Sequence, residues 1–171
     1  MTVLGRGSEN DFNREDKLGD LFFLFFIYQV INKSLKESKK MIIITNNPKV
    51  KEEVQGREVL FKDTTYIGIL EASRDLIHEG YELLSHPLYG SVKPNETPYR
   101  TVILKKGNRL DINSLTLIEE AIITASKFQN NKKTPKWTES VQDDFRVIDY
   151  DIFYNTIQRM QYEIKKFVKS Y

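Results

Sequence analysis

The sequence predicts an α/β fold: a small three-layer domain with a mostly parallel sheet of about four strands, helices on both faces and further helices toward the C-terminus. Three observations predict it. Short β-branched runs alternate with helix-period segments between Met41 and Leu104, an order that implies strands joined by right-handed crossovers. Asx and threonine clusters follow the first two runs and read as helix starts. From Asn113 onward the apolar residues recur at three and four, as on amphipathic helices.

The elements follow in order. MIIIT, Met41–Thr45, has four apolar residues of which three are β-branched, as suits a buried strand. Asn46-Asn47-Pro48 opens a helix, with Asn47 as cap and Pro48 at the first position, where its missing N–H costs nothing. Val50 and Val54 give that helix an inner face, and Gly56 ends it. Glu58 to Lys62 is a second strand, and Asp63-Thr64-Thr65 a second capping cluster, with Asp63 as the cap. Ile67, Leu70, Arg74 and Ile77 keep helical spacing up to Gly80. Leu83-Leu84 belong to a third strand and Thr101 to Leu104 to a fourth. Gly107-Asn108 predicts a turn, with a hairpin into Leu110–Ile112 as one outcome. Leu115, Ile118, Ile122 and Ala125 mark a helix over 113–128. Val141, Phe145, Ile148 and Ile152 continue the period beyond a polar loop, with a break near Asp149, where Asp149 or Asp151 caps a further helix to about Val168.

The first forty residues stand apart. LFFLFFIYQVI, Leu21–Ile31, is the most apolar run, but as a helix it reaches only about 16 Å, roughly half a bilayer core. The twenty residues before it carry five acids against three bases, the wrong start for a signal peptide. Two readings stay open: residues 1–40 are an extension outside the functional fold, with Met41 the true first residue, or they form an extra helix over about 18–35 that caps the domain. The functional domain is expected over 41–157, with a helical tail over 158–171.

Composition excludes several classes. Residues 41–157 hold fifteen basic and seventeen acidic side chains, so no concentrated basic face for nucleic acid is expected. There is no cysteine and there are two histidines, His78 and His86; disulfides, thiolate nucleophiles and cysteine-rich metal sites are out, and no metal site is expected. The sequence contains no GxGxxG, no GxxxxGK[ST] and no GxSxG, so no cofactor is expected.

The candidate site follows from topology. Parallel strands end on one sheet edge, and ligands bind in the crevice outside it. Thr45-Asn46-Asn47, Asp63-Thr64-Thr65 and Ser85-His86 each leave a strand at that edge. Helix starts there offer free N–H groups to an anion, although Asn46, Asn47 and Asp63 serve equally well as caps. The loop SHPLYGSVKPNETPYR, Ser85–Arg100, packs three prolines into sixteen positions and is stiff. It offers Ser85, Ser91, Asn95 and Thr97 for hydrogen bonds, Lys93 for an anion, and Glu96 for an amine or a hydrated cation. His86 is a candidate acid or base, or simply a loop-bracing side chain. Ser85 and His86 point to opposite faces and make no nucleophile–base pair. The expected ligand-binding set is therefore Thr45, Asn46, Asn47, Asp63, Thr64, Ser85, His86, Ser91, Lys93, Asn95 and Glu96.

MIIITNNPKV, SRDLIHEGYELLSHP, PLYGSVKPNETPYRTV and DDFRVIDYDI together resemble the GrdX family over about Met41 to Ile157, the proline loop being the most specific part. Members are small proteins encoded with the glycine reductase system of amino-acid-fermenting anaerobic bacteria. The resemblance implies a cytoplasmic context linked to the reduction of glycine or related amino acids, and no catalytic residues. That system's chemistry runs through selenocysteine and thiols on other subunits, and a cysteine-free chain takes no direct part in it. Three functions are expected. The first is an accessory or regulatory protein that binds a small anionic metabolite and makes no membrane span. The second is an enzyme on a carboxylate or phosphate ester using His86. The third is an adaptor that docks glycine reductase components through the 85–100 loop.

Overall fold

The computed structural model describes residues 24–26, 28, 29, 32, 41–90 and 92–169. The expectations for residues 1–40 and for Ser91 therefore lie largely or wholly outside the described residues. Strand β1 is Met41–Thr45, helix α1 Pro48–Glu53, strand β2 Glu58–Phe61, helix α2 Tyr66–His78, strand β3 Tyr81–Leu83, strand β4 Thr101–Lys106, helix α3 Ile112–Asn131 and helix α4 Glu139–Lys169.

The strands form one sheet in the order β2-β1-β4-β3. β1 and β2 pair in parallel, with Ile42 opposite Glu58 and Thr45 opposite Phe61. β4 runs antiparallel to both of its neighbours, with Thr45 opposite Thr101 and Leu83 opposite Leu104. The sheet is thus mixed, and the expected predominance of parallel pairing is corrected: one pair is parallel and two are antiparallel. The cause is the connection after β3. A parallel strand needs a crossover that carries the chain back to the opposite edge, usually a helix. Among its described residues the 84–100 loop has no helix; it delivers Thr101 to the edge where β3 ended, so β4 can only run back down. β1, β2 and β3 still share one direction, and their carboxyl ends share an edge with the start of β4.

Side chains alternate across the strands and sort the core in two. Ile42, Ile44, Val102 and Leu104 pack with Ile69, Leu70 and Ile77 of α2 and with Ile118, Ala121 and Ala125 of α3. Ile43 and Ile103 pack with Val50 of α1 and with Phe153 and Ile157 of α4. Ile43 and Ile103 face each other in register and are fully buried, each side chain contributing about 1.5–3 kcal/mol.

The helix starts differ in detail from expectation. Asn47 caps α1 as predicted, its Oδ1 accepting from Lys49 N at 3.0 Å. Thr65 rather than Asp63 caps α2, accepting from Gly68 N at 3.1 Å; the hydroxyl beside the first helical residue is the one in reach. Gly80, at φ +90°, turns the chain from α2 into β3, and its carbonyl accepts from Gly107 N at 2.9 Å. No hairpin follows Gly107. Asp111 caps α3 instead, accepting from Ser114 N at 2.8 Å. α4 is one continuous helix, so neither Asp149 nor Asp151 caps anything; Asp149 faces inward and its carboxylate is used elsewhere. Among the described residues no helix is long and apolar enough to cross a membrane.

Candidate functional site

The sheet edge where β1, β2 and β3 end is stitched by buried side chains. Asn46 Nδ2 donates to the Thr64 and Pro98 carbonyls, both at 2.8 Å, and its Oδ1 accepts from Arg100 N at 2.8 Å. One amide thereby joins the turn after β1, the turn before α2 and the end of the proline loop. Thr45 Oγ1 accepts from Asn47 N at 2.9 Å and lies 2.7 Å from Thr101 Oγ1. Asn47 Nδ2 donates to the Arg146 carbonyl and to Asp149 Oδ2, both at 2.9 Å.

Asp149 is the centre of this network. Its carboxylate accepts from Thr101 N at 3.1 Å, from Thr101 Oγ1 at 2.7 Å and from Asn47 Nδ2. It is a buried acid on a helix otherwise packed through Phe153 and Ile157. Burial pushes its pKa up, and the bonds from Asn47 and Thr101 and the charge of Arg100 pull it back.

Arg100 is the second buried charge, 6% exposed. Nη1 donates to the Tyr89 carbonyl at 2.8 Å. The guanidinium lies 4.6 Å from the Tyr89 ring centre and 5.9 Å from that of Tyr66, within cation–π range. Nε and Nη2 are buried and have no acceptor of normal hydrogen-bond geometry. Burial drives the Tyr89 phenol to about 12 and the Tyr66 phenol upward, against the pull of the Arg100 charge and, at Tyr66, of a loose hydrogen bond to Arg100. Both phenols therefore stay neutral and add no negative charge beside the guanidinium.

Arg100 and Asp149 line one small cavity. Its other walls include Tyr89, Gly90, Thr97 and Tyr99 of the loop and Ile148 and Ile152 of α4. The depression encloses about 260 Å³ counted to its open mouth, but only about 10 Å³ admits the centre of a water molecule, room for about one water. Gly90 sits at the rim with φ +109°, and a Cβ there would meet Ile152 Cδ1 at 3.0 Å.

Of the loop residues expected to offer hydrogen bonds, Thr97 lines this cavity, whereas none of the described residues of the expected ligand-binding set does. Thr45, Asn46 and Asn47 are buried and spend their polar groups on the stitching above. Asp63 and Thr64 are exposed, and Thr64 contributes its carbonyl to Asn46. Ser85 Oγ is buried without a partner. His86 is exposed, and its Nδ1 accepts from Leu88 N at 3.1 Å, which braces the loop. Lys93 pairs with Glu96 at 3.5 Å on the surface. Asn95 Nδ2 donates to the Lys132 carbonyl at 3.0 Å while its Oδ1 lacks a partner. The Glu96 carbonyl accepts from Trp137 Nε1 at 2.7 Å, so the loop is tied down at both ends.

The residues that sequence reasoning missed are Arg100 and Asp149, with Tyr66, Tyr89 and Thr101 around them. A signal existed for Asp149. Phe145, Asp149, Phe153 and Ile157 recur every four residues, and a carboxylate in an apolar row is buried and needs partners. Arg146, one helical turn earlier, is already engaged: it donates to Glu139, Asp143 and, at 2.9 Å, the Tyr99 hydroxyl, contacts that raise its pKa further, Glu139 most. Among the described residues no cluster of three or more His, Cys, Asp or Glu is placed to hold a metal ion.

Fold and cavity define a small mixed α/β domain with two opposite charges buried at one sheet edge. The chain belongs to the GrdX-like protein family, which matches residues 42–158. No match was found among curated proteins or solved structures.

Proposed function

We propose that this protein binds a small anionic metabolite at Arg100 and serves as an accessory or regulatory component of glycine or related amino-acid reduction, the process with which its family is associated. The observation that carries the reading is the pair of buried donors on Arg100, Nε and Nη2, that meet no acceptor of normal hydrogen-bond geometry, the guanidinium having only a loose hydrogen bond to the Tyr66 phenol beside its bond to the Tyr89 carbonyl. Removing a charged donor from water without a replacement acceptor is costly, so an acceptor that enters the cavity gains the full value of the bonds it makes. A binding role is favoured over a catalytic one by the placement of His86, which is exposed and spends Nδ1 on its own loop. The unit that binds is the domain over 41–157, and the residues before and after it are accessory to it.

A thermal-shift titration with acetate, glycine and inorganic phosphate tests the proposal. A ligand that prefers the folded state raises the melting point with concentration. The expected outcome is a rise with at least one of them that is lost in Arg100→Met. No rise with any of the three at millimolar concentration, or a rise that survives the substitution, overturns it.

A further inference from the structure

Two opposite charges line one cavity, near enough to feel each other, and make no direct hydrogen bond to each other. Arg100 gives Nη1 to the Tyr89 carbonyl and nothing to Asp149. The two nitrogens without an acceptor of normal geometry, Nε and Nη2, are not an arbitrary pair, and the loose hydrogen bond to the Tyr66 phenol is weak enough to be displaced. Their N–H bonds run parallel along one edge of the guanidinium, the edge that grips a carboxylate with two bonds at once. A carboxylate has about four lone-pair sites, and Asp149 has filled three of its own, with Asn47 Nδ2, Thr101 N and Thr101 Oγ1. One acceptor position remains on a buried acid, and one bidentate donor edge remains on a buried base.

A simple anion satisfies the arginine but brings its charge toward Asp149. A dianionic phosphate does so twice over. A simple cation has the converse fault. A molecule with a carboxylate at one end and an ammonium at the other satisfies both and adds no net charge to a site where net charge is expensive. We propose that the cavity receives the zwitterion of a small α-amino acid, its carboxylate on the Nε/Nη2 edge of Arg100 and its ammonium on the open lone pair of Asp149. The inference rests on the reading above only in that Arg100 takes an anionic group, and it assigns that group to the carboxylate end of a zwitterion rather than to a free anion. Size selects the smallest members: the cavity now has room for about one water. Entry requires the rim around Gly90 to part from Ile152, and little side chain on the ligand can be housed.

Isothermal titration of the full-length protein at neutral pH with glycine, N-acetylglycine, glycinamide, acetate and phosphate tests this from the ligand side, without relying on a variant that folds. N-acetylglycine keeps the carboxylate and loses the ammonium; glycinamide does the reverse. The expected result is binding of glycine, with both analogues and acetate at least tenfold weaker. Acetate, phosphate or N-acetylglycine binding as tightly as glycine overturns the zwitterion reading and leaves anion binding standing. Glycinamide binding as tightly as glycine overturns both, as does no binding by any of the five. Arg100→Met locates the site: glycine affinity unchanged in that variant also overturns the proposal.

Discussion

Asp149 and Arg100 illustrate how a buried charge behaves when its partners differ. Asp149 is held by three donors, so its removal leaves polar groups stranded. In Asp149→Asn the new amide places a donor against either Asn47 Nδ2 or Thr101 N, whichever way it is turned. The expected loss is about 1–3 kcal/mol, read from the urea midpoint with an unchanged slope. The pH dependence has a definite sign. Burial raises the Asp149 pKa above its ordinary 3.8, so the folded chain holds this proton more tightly than the unfolded one. Its stabilising contribution is full below about pH 4 and is lost as pH rises through the folded pKa. The asparagine variant has no such proton, so its deficit against wild type is largest below about pH 4 and narrows toward neutrality. A deficit that widens with pH would contradict the direction assigned. Arg100 contrasts with this. Arg100→Met gives up one bond to the Tyr89 carbonyl and the contact with its ring, but removes a buried charge with two donors that lack an acceptor of normal geometry. These terms oppose each other, and the midpoint is expected within about 1 kcal/mol of wild type although ligand binding is lost. Such a pairing separates a residue kept for binding from one kept for folding.

At the scale of elements, the same logic ranks the caps. Thr65→Ala removes one side-chain bond at the start of α2, and the loss expected in chemical denaturation is about 1 kcal/mol. Asn47→Ala removes the cap of α1 and also the two bonds that tie α1 to α4 through the Arg146 carbonyl and Asp149. It takes one of three donors from the buried Asp149 carboxylate and the side-chain donor from the part-buried Arg146 carbonyl, and about 2–4 kcal/mol is expected. Equal losses for the two substitutions would mean that Asn47 is no more than a cap. The elements themselves were legible from the sequence because hydrophobic period and capping chemistry are local. β1, α1, β2 and α2 needed only β-branched runs, Asn47-Pro48, a threonine cluster and Gly80. The direction of β4 was not legible, because a strand's period is the same read either way; only the absence of a helix among the described residues of 84–100 decides it. The site was half legible. Thr45, Asn46 and Asn47 stood out as a polar cluster at a strand end, and the structure shows them as the frame. Arg100 and Asp149 did not stand out, since what makes them unusual is mutual and spans 49 positions of sequence. Asp149 resembled a cap only while α4 was thought to break; in a continuous helix its position is inward.

For the molecule as a whole, the buried apolar residues among those described run from Ile42 to Ile157, nearly the same span as the family match at 42–158. Leu24, Phe25 and Tyr28 are more than half exposed and add little to either cluster. Among the described residues, the buried members of both clusters lie inside that span, and the partly buried Met41 and Met160 that pack against the second cluster lie just beyond it. A chain of residues 41–171 is therefore expected to unfold in one cooperative transition, with its melting point within about 5 °C of the full chain, since 1 kcal/mol at this size moves the midpoint by only a few degrees. A chain of residues 1–148 provides the contrast. It lacks Phe153, Ile157 and the carboxylate that collects Asn47 and Thr101, leaving Ile43 and Ile103 facing water. Burial of those four apolar side chains is worth about 6–12 kcal/mol, comparable with the whole net stability of a domain, so no cooperative transition is expected. Calorimetry of both chains decides the matter: a 41–171 chain without a cooperative endotherm would make the first forty residues part of the fold, and a cooperative 1–148 chain would free the domain from α4.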